Sequence, residues 1–279
     1  MAKRQRKTTQ AVIDQRTREG RGQGRGAEYT PWLHIQDVPS QGLTHRIKGW
    51  KTKREHHFLS TLECDYFYVL DWSPVVRDIR EQYPLLPLAE TLAIAETCGF
   101  RHPTDPKTQK PIVMTTDFLI TLVRQAQEID CARTIKPSTQ LQSTRVLEKL
   151  EIERRYWHAR QIDWGIVTER EIPPALAKNL KLLHNYRHIA DRVPLTTKEI
   201  RRLANVLTQT VVAGRLSLRQ SAAACDQQLG LEPGTSLTVA YHLLAQREWR
   251  VDLKTAIEPG KKLVLLNRRE LARDQGGAR

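Results

Sequence analysis

Two side chains in one stretch could carry out phosphodiester chemistry: Asp117 and Lys136 of VMTTDFLITLVRQAQEIDCARTIKPS, residues 113–138. A carboxylate can hold a divalent cation, and a lysine beside it can orient or help deprotonate an attacking water and offset transition-state charge. The pair would meet if two strands brought it together. Read with period two, Met114, Phe118, Ile120 and Leu122 share a face, which predicts a half-buried strand over 113–122 with Asp117 on the other face. A second, weaker strand is predicted over 131–136, reached through the polar segment Arg124–Asp130. A hairpin of the two would place Asp117 next to Lys136. By itself this is also what a surface cross-strand ion pair looks like.

The elements around the pair change that balance. Upstream, Ser60 is a good N-cap for a helix carrying Leu62, Tyr66, Val69 and Leu70 at helical spacing. Glu63 stands three residues after Ser60, the capping-box spacing, which accounts for it without chemistry. A helix packed beside the hairpin would nonetheless present a second acidic ligand. Residues 75–85 alternate like a strand, and a short helix is predicted over Ala89–Cys98. Pro137 ends the second hairpin strand. A long helix follows over about 141–160, with Val146, Leu147, Leu150 and Trp157 on one side and Glu148, Glu151, Glu153 and several arginines around the rest. Trp164–Val167 then reads as a strand, which makes strand–helix–strand a parallel crossover unit. The fold class expected is α/β, a small mixed sheet flanked by helices.

The flanks differ in kind. Residues 1–28 are expected to form a basic flexible arm, with GRGQGRG at 20–26 a weak candidate for a phosphate-cradling loop. Pro173-Pro174 sets a boundary within 168–194, so the catalytic domain is expected over 29–172. Beyond it, Thr196 or Thr197, Ser217, and Thr235 or Ser236 would cap three helices. Two strands, Trp249–Leu253 and Lys262–Leu266, would complete an α+β winged-helix domain over 190–268, with a polar tail over 269–279. The third helix, TSLTVAYHLLAQR, offers few groove-reading side chains, which favours protein docking and backbone contact over sequence readout.

Composition narrows the partners. Lys+Arg number 45 against 31 Asp+Glu, a net +14, which points to a polyanion and to nucleic acid first. The four cysteines have no CxxC or CxxH spacing, arguing against a zinc site or a disulfide framework and for a reducing, cytoplasmic setting. No apolar run approaches the ~18 residues of a membrane helix, and no signal-peptide core is seen.

The segments REGRGQGRGAEYTPWL, HHFLSTLE, VRDIREQYPLLP, VMTTDFL, IKP and LEKLEIERRYW, in this order, resemble TnsA, the endonuclease family of heteromeric bacterial transposases. The resemblance covers most of the first ~175 residues; beyond them it is one of architecture, since that family also ends in a winged helix. It implies a restriction-endonuclease-like fold. It implies Glu63 and Asp117 as metal-binding carboxylates and Lys136 as the catalytic lysine; Ile135, just before that lysine, could supply a backbone carbonyl to the ion, which needs no particular side chain. Thr134 stands where restriction enzymes carry an acid and this family a glutamine, and Thr116 stands where a proline precedes the aspartate. The activity implied is Mg²⁺-dependent cleavage (Mn²⁺ substituting) of the 5′ strands at transposon ends in double-stranded DNA. The partners implied are the recombinase TnsB and, through the C-terminal domain, the ATPase regulator TnsC. A catalytically silent module that recruits other proteins to DNA would explain the charge and the winged helix equally well. It would leave the conjunction of Glu63, Asp117 and Lys136 to accident.

Overall fold

A computed structural model of the chain describes residues 8–38 and 43–266. The basic residues of positions 1–7 and the tail from Asn267 lie outside that range. The chain divides into two compact units, Met1–Ile172 and Pro173–Arg279.

The first unit is built on a sheet of β3 (Val76–Pro84), β4 (Thr115–Arg124), β5 (Gln127–Ile135) and β6 (Asp163–Val167), in that spatial order. The first two pairings are antiparallel and β5–β6 is parallel, joined by helix α4 (Thr144–His158). A separate antiparallel pair, β1 (His45–Lys48) with β2 (Glu55–Phe58), precedes helix α2 (Thr61–Trp72), and α3 (Leu88–Thr97) follows β3. Successive residues of β4 point to opposite faces. Phe118 meets Phe58 and Tyr66, while Leu119 and Ala132 share a core with Leu85, Ile152, Tyr156 and Trp157. Met114 joins this second core from just outside β4, so the alternation predicted from Met114 onward holds only from Phe118.

Two expectations for this unit need correction. β5 begins at Gln127, and the connector is the two-residue turn Gln125-Ala126, with φ +49° and +64°. Such turns suit the twist of a hairpin but usually announce themselves by Asn or Gly, and neither is present. The second correction concerns the arm. Residues 10–18 form helix α1 (Gln10–Arg18), and Thr9 accepts from the Val12 N–H as its cap. The glycine stretch is folded onto β3: Gly22 donates to the Thr30 carbonyl at 2.7 Å and Gly26 to Asp78 at 3.2 Å. Gly22 has φ +80° and lies so close to Pro84 that a Cβ would collide with its ring. Arg21 is spent on Asp37 at 2.5 Å and on the Trp32 carbonyl at 3.2 Å.

The second unit consists of α5 (Pro174–His184), α6 (Thr197–Val212), α7 (Leu218–Leu229) and α8 (Thr235–Ala245). Thr196 with Glu199 and Ser217 with Gln220 form capping boxes, and Gly230 closes α7 in the left-handed conformation. Leu180, Leu183, Leu203, Leu207, Val239 and Leu243 are buried in this unit. The wing strands are not formed: 249–253 and 262–266 contain no strand, and one backbone bond, Leu266 N–H to the Arg250 carbonyl at 2.7 Å, links them. Between them, Asn179 on α5 takes the Leu253 and Thr255 carbonyls, both at 2.8 Å, and the Ile257 N–H at 2.9 Å, which satisfies the connecting backbone by a side chain. Most of α8 is buried, including Val239, Ala240, Leu243 and Leu244, which leaves little of it to enter a groove.

Candidate active site

Pairing of Phe118 with Arg133 sets the register of β4 on β5 and brings Asp117 to the end of β5. There the Asp117 Oδ2 accepts from the Ile135 N–H at 2.7 Å and from Lys136 Nζ at 2.9 Å. Lys136 Nζ also donates to the Ile135 carbonyl at 2.8 Å. The lysine backbone is fixed from the far side, its N–H donating to Val167 of β6 at 3.0 Å. Asp117 is buried and Lys136 is half-buried, so the carboxylate is shielded from solvent while the ammonium keeps partial access to it. Burial works against the lysine's charge, but Asp117, then Glu153 and Glu63, outweigh it and raise its pKa.

Glu63 is placed both to cap α2 and to face Asp117. As a cap, its Oε1 accepts from Ser60 Oγ at 2.8 Å and its Oε2 from the Leu59 N–H at 3.1 Å. It is also turned toward Asp117: Gln82 Nε2 reaches Glu63 Oε2 at 3.3 Å and Asp117 Oδ1 at 3.5 Å. Burial first, and the Asp117 charge second, push the Glu63 carboxyl up to about 7. The short first turn of α2 therefore carries a carboxylate that its cap alone would not strand in so costly a place.

Beneath the pair lies a carboxylate that the sequence reading had placed on the polar side of its helix. Glu153 is buried on α4, and its Oε1 accepts from Thr116 Oγ1 at 2.7 Å, Trp164 Nε1 at 3.1 Å and Thr134 Oγ1. Trp157 Nε1 donates in turn to Thr116 at 2.6 Å. Burial, then Asp117, push Glu153 up to about 7. The signal was in the spacing: Glu153 stands three after Leu150 and four before Trp157, on the apolar stripe. The Thr134 hydroxyl ties β5 to α4.

The donor set suits a hard divalent cation. Mg²⁺ is commonly bound by one or two carboxylates with water and substrate oxygens making up the rest. Glu63 and Asp117 supply two carboxylates, and the Asp117 Oδ2 and Ile135 carbonyl already converge on one positive group, the lysine ammonium. Among the described residues no cluster of three or more His, Cys, Asp or Glu is arranged to hold a metal.

Comparison with known proteins follows the same division of the chain. The family described as TnsA-like endonuclease N terminal matches residues 73–169, and that described as TnsA endonuclease C terminal matches residues 171–253. The transposon Tn7 transposition protein TnsA of Escherichia coli is 46% identical over 187 residues, 67% of either chain. The chain belongs to the TnsA endonuclease family. It is thus a DNA endonuclease, a nuclease acting on phosphodiester bonds, and its setting is transposition. Asp117, Lys136 and Glu153 fall within the N-terminal family match, whereas Glu63 precedes it. The junction of the two matches lies within two residues of the boundary between the units. No helix among the described residues is long and apolar enough to cross a membrane.

Proposed function

We propose that this endonuclease is a Mg²⁺-dependent subunit of a Tn7-like transposase that hydrolyses the 5′, non-transferred strand at each transposon end in cut-and-paste transposition. The observation that carries the reading is the meeting of Asp117, Lys136 and the Ile135 carbonyl opposite Glu63. Glu63, Asp117 and the Ile135 carbonyl would hold the cation, which when bound polarises the scissile phosphate and lowers the pKa of a coordinated water. Lys136 keeps its proton in this acidic, half-buried setting, so it acts as a fixed positive charge beside the developing negative charge of the phosphate. Asp117 orients that ammonium through Oδ2. Glu153 supports β4 and β5 from below through Thr116 and Thr134, which keeps the Asp117 and Ile135 oxygens in register.

The mixed sheet with its crossover helix agrees with a restriction-endonuclease-like core, and helices α6–α8 with a winged-helix relative that lacks its ribbon. Duplex transposon ends are the substrate, consistent with the net +14. A recombinase subunit, TnsB, would cut and join the 3′ ends, and TnsC would dock on the C-terminal unit. Burial of α8 favours such docking over base readout. The cytoplasm, where such DNA lies, is the expected compartment. A catalytically silent recruiting module is the competing reading, and it leaves the convergence of Lys136 and Asp117 opposite Glu63 without a purpose.

Strand-specific mapping of breaks on transposon-end DNA, with the recombinase present, tests this. Wild type with Mg²⁺ should give 5′-strand breaks that Asp117→Ala abolishes while 3′-strand breaks persist. Equal 5′ cleavage by both proteins would favour the silent module.

A further inference from the structure

Gln82 has φ +48°, in the left-handed region that favours glycine, two residues before β3 ends, and it is buried. A position of this kind filled by glutamine points to use of the side chain, since glycine would adopt the backbone freely. The surroundings hold it there. The wholly buried Glu81 carboxylate is bound by Arg54, by His56 Nδ1 at 2.7 Å and by the His57 N–H at 3.2 Å. Burial would raise the Glu81 pKa, yet His56 and Arg54 outweigh it and hold it far below the carboxylate range. Tyr29 Oη donates to the Glu81 carbonyl at 3.0 Å, and the Trp32 N–H to the Gln82 carbonyl at 3.2 Å.

The carboxamide itself is oriented. Thr115 Oγ1 donates to Gln82 Oε1 at 3.0 Å, which turns the Nε2 group toward Glu63 Oε2 at 3.3 Å and Asp117 Oδ1 at 3.5 Å. Ionised carboxylates only accept, so the group shared between them must be the NH₂.

We propose that Gln82 is a positioning residue for the divalent cation, its amide spanning Glu63 and Asp117 and holding the two carboxylates converged before the cation arrives. The inference rests on the metal-site reading above. Two like charges facing each other in a buried site repel and would turn apart. A neutral donor shared between them offsets the repulsion without adding a charge that the cation must displace. Groups that orient metal ligands in this way typically change metal affinity by about 10–100-fold when removed.

Titration of the full chain with Mn²⁺ alone, followed by electron paramagnetic resonance and calorimetry, tests it. Thermal unfolding in EDTA is run beside it. Wild type should bind Mn²⁺ and Asp117→Ala should not. Gln82→Gly relieves the left-handed strain, so its unfolding midpoint should stay close to that of wild type while its Kd for Mn²⁺ rises about tenfold. Gln82→Leu should weaken Mn²⁺ likewise. Thr115→Val frees the amide to rotate and should weaken Mn²⁺ to a smaller degree, without touching Gln82. Wild-type affinity in both Gln82 variants would overturn the inference and leave the metal site standing. So would lost affinity in Gln82→Gly that tracks lost stability while Thr115→Val binds normally. No Mn²⁺ binding by wild type would overturn the site reading and this inference together.

Discussion

Glu63→Gln should separate the two roles of Glu63 by moving stability and activity in opposite directions. The glutamine can satisfy its surroundings. Its oxygen would take the Leu59 N–H and Gln82 Nε2 donors that now reach Oε2, and its amide would donate to Ser60 Oγ. What changes is the charge. Glu63 titrates at about 7 in the folded protein against an ordinary 4.5. The folded state therefore binds the extra proton between those values, and stability falls as pH rises from about 4.5 to about 7, by about 3 kcal/mol in all. Above pH 7 the loss is complete and constant; below 4.5 it is absent. The cap bonds to the carboxylate are already contained in that net shift; an amide that fits the pocket less well than the protonated acid returns roughly 1 kcal/mol of it. At pH 8 in EDTA the variant should thus be more stable by about 2 kcal/mol, a rise in unfolding midpoint of roughly 4–8 °C for a unit of this size. At pH 4.5 the advantage should vanish. Saturating Mn²⁺ should reverse the order at pH 8, since a ligand at 100 times its Kd stabilises wild type by about 2.7 kcal/mol and the variant hardly at all. Calorimetric scans at the two pH values, with EDTA and with Mn²⁺, read all of this. A lower midpoint for Glu63→Gln at pH 8 in EDTA would refute the charge argument, and normal DNA cleavage by the variant would refute its role as a ligand.

Other perturbations follow from the same structure. Asp117→Ala and Lys136→Ala should each leave 3′-end joining intact and convert simple insertions into donor–target fusions, because uncut 5′ strands keep the element attached to donor DNA. Long-read sequencing of transposition products decides this, and simple insertions at wild-type frequency would mean that these residues do not cut the second strand. A fragment of residues 173–279 should fold and bind the ATPase regulator without nuclease activity. One starting at 190 should be markedly less stable, since it loses Leu180 and Leu183, both buried on α5; circular dichroism melts compare the two. Arg54→Met should destabilise the protein by about 3–5 kcal/mol by leaving the buried Glu81 charge short of a partner. The same change at Arg145, whose pair with Glu148 lies at the surface, should cost less than about 1 kcal/mol; denaturant unfolding measures both.

Much of this protein is determined locally and can be read from residues in order. Period-two alternation and Pro137 mark the strands, Ser60, Thr196 and Ser217 mark helix starts by their hydroxyls, and Pro173-Pro174 marks the boundary between units. The candidate site was legible as three residues, Glu63, Asp117 and Lys136, because their types and order carry the family's pattern. Whether the Asp117 carboxylate is exposed or buried was not, since that depends on α2 and α4 closing over the sheet. The turn at Gln125-Ala126 and the left-handed Gln82 carry no sequence mark, because strand pairing and the buried Glu81 network hold backbones that their own residues do not prefer. The wing strands read plausibly and did not form; the segment between them is instead held by Asn179, some 74 residues away along the chain. Glu153 was hidden among surface-like charges of α4, and only the packing of that helix on β4 and β5 makes it a buried acid beneath Asp117. Side-chain type and spacing are properties of the chain, whereas burial, and with it the raised pKa of Glu63 and Glu153, is decided by which surfaces the folded chain brings together.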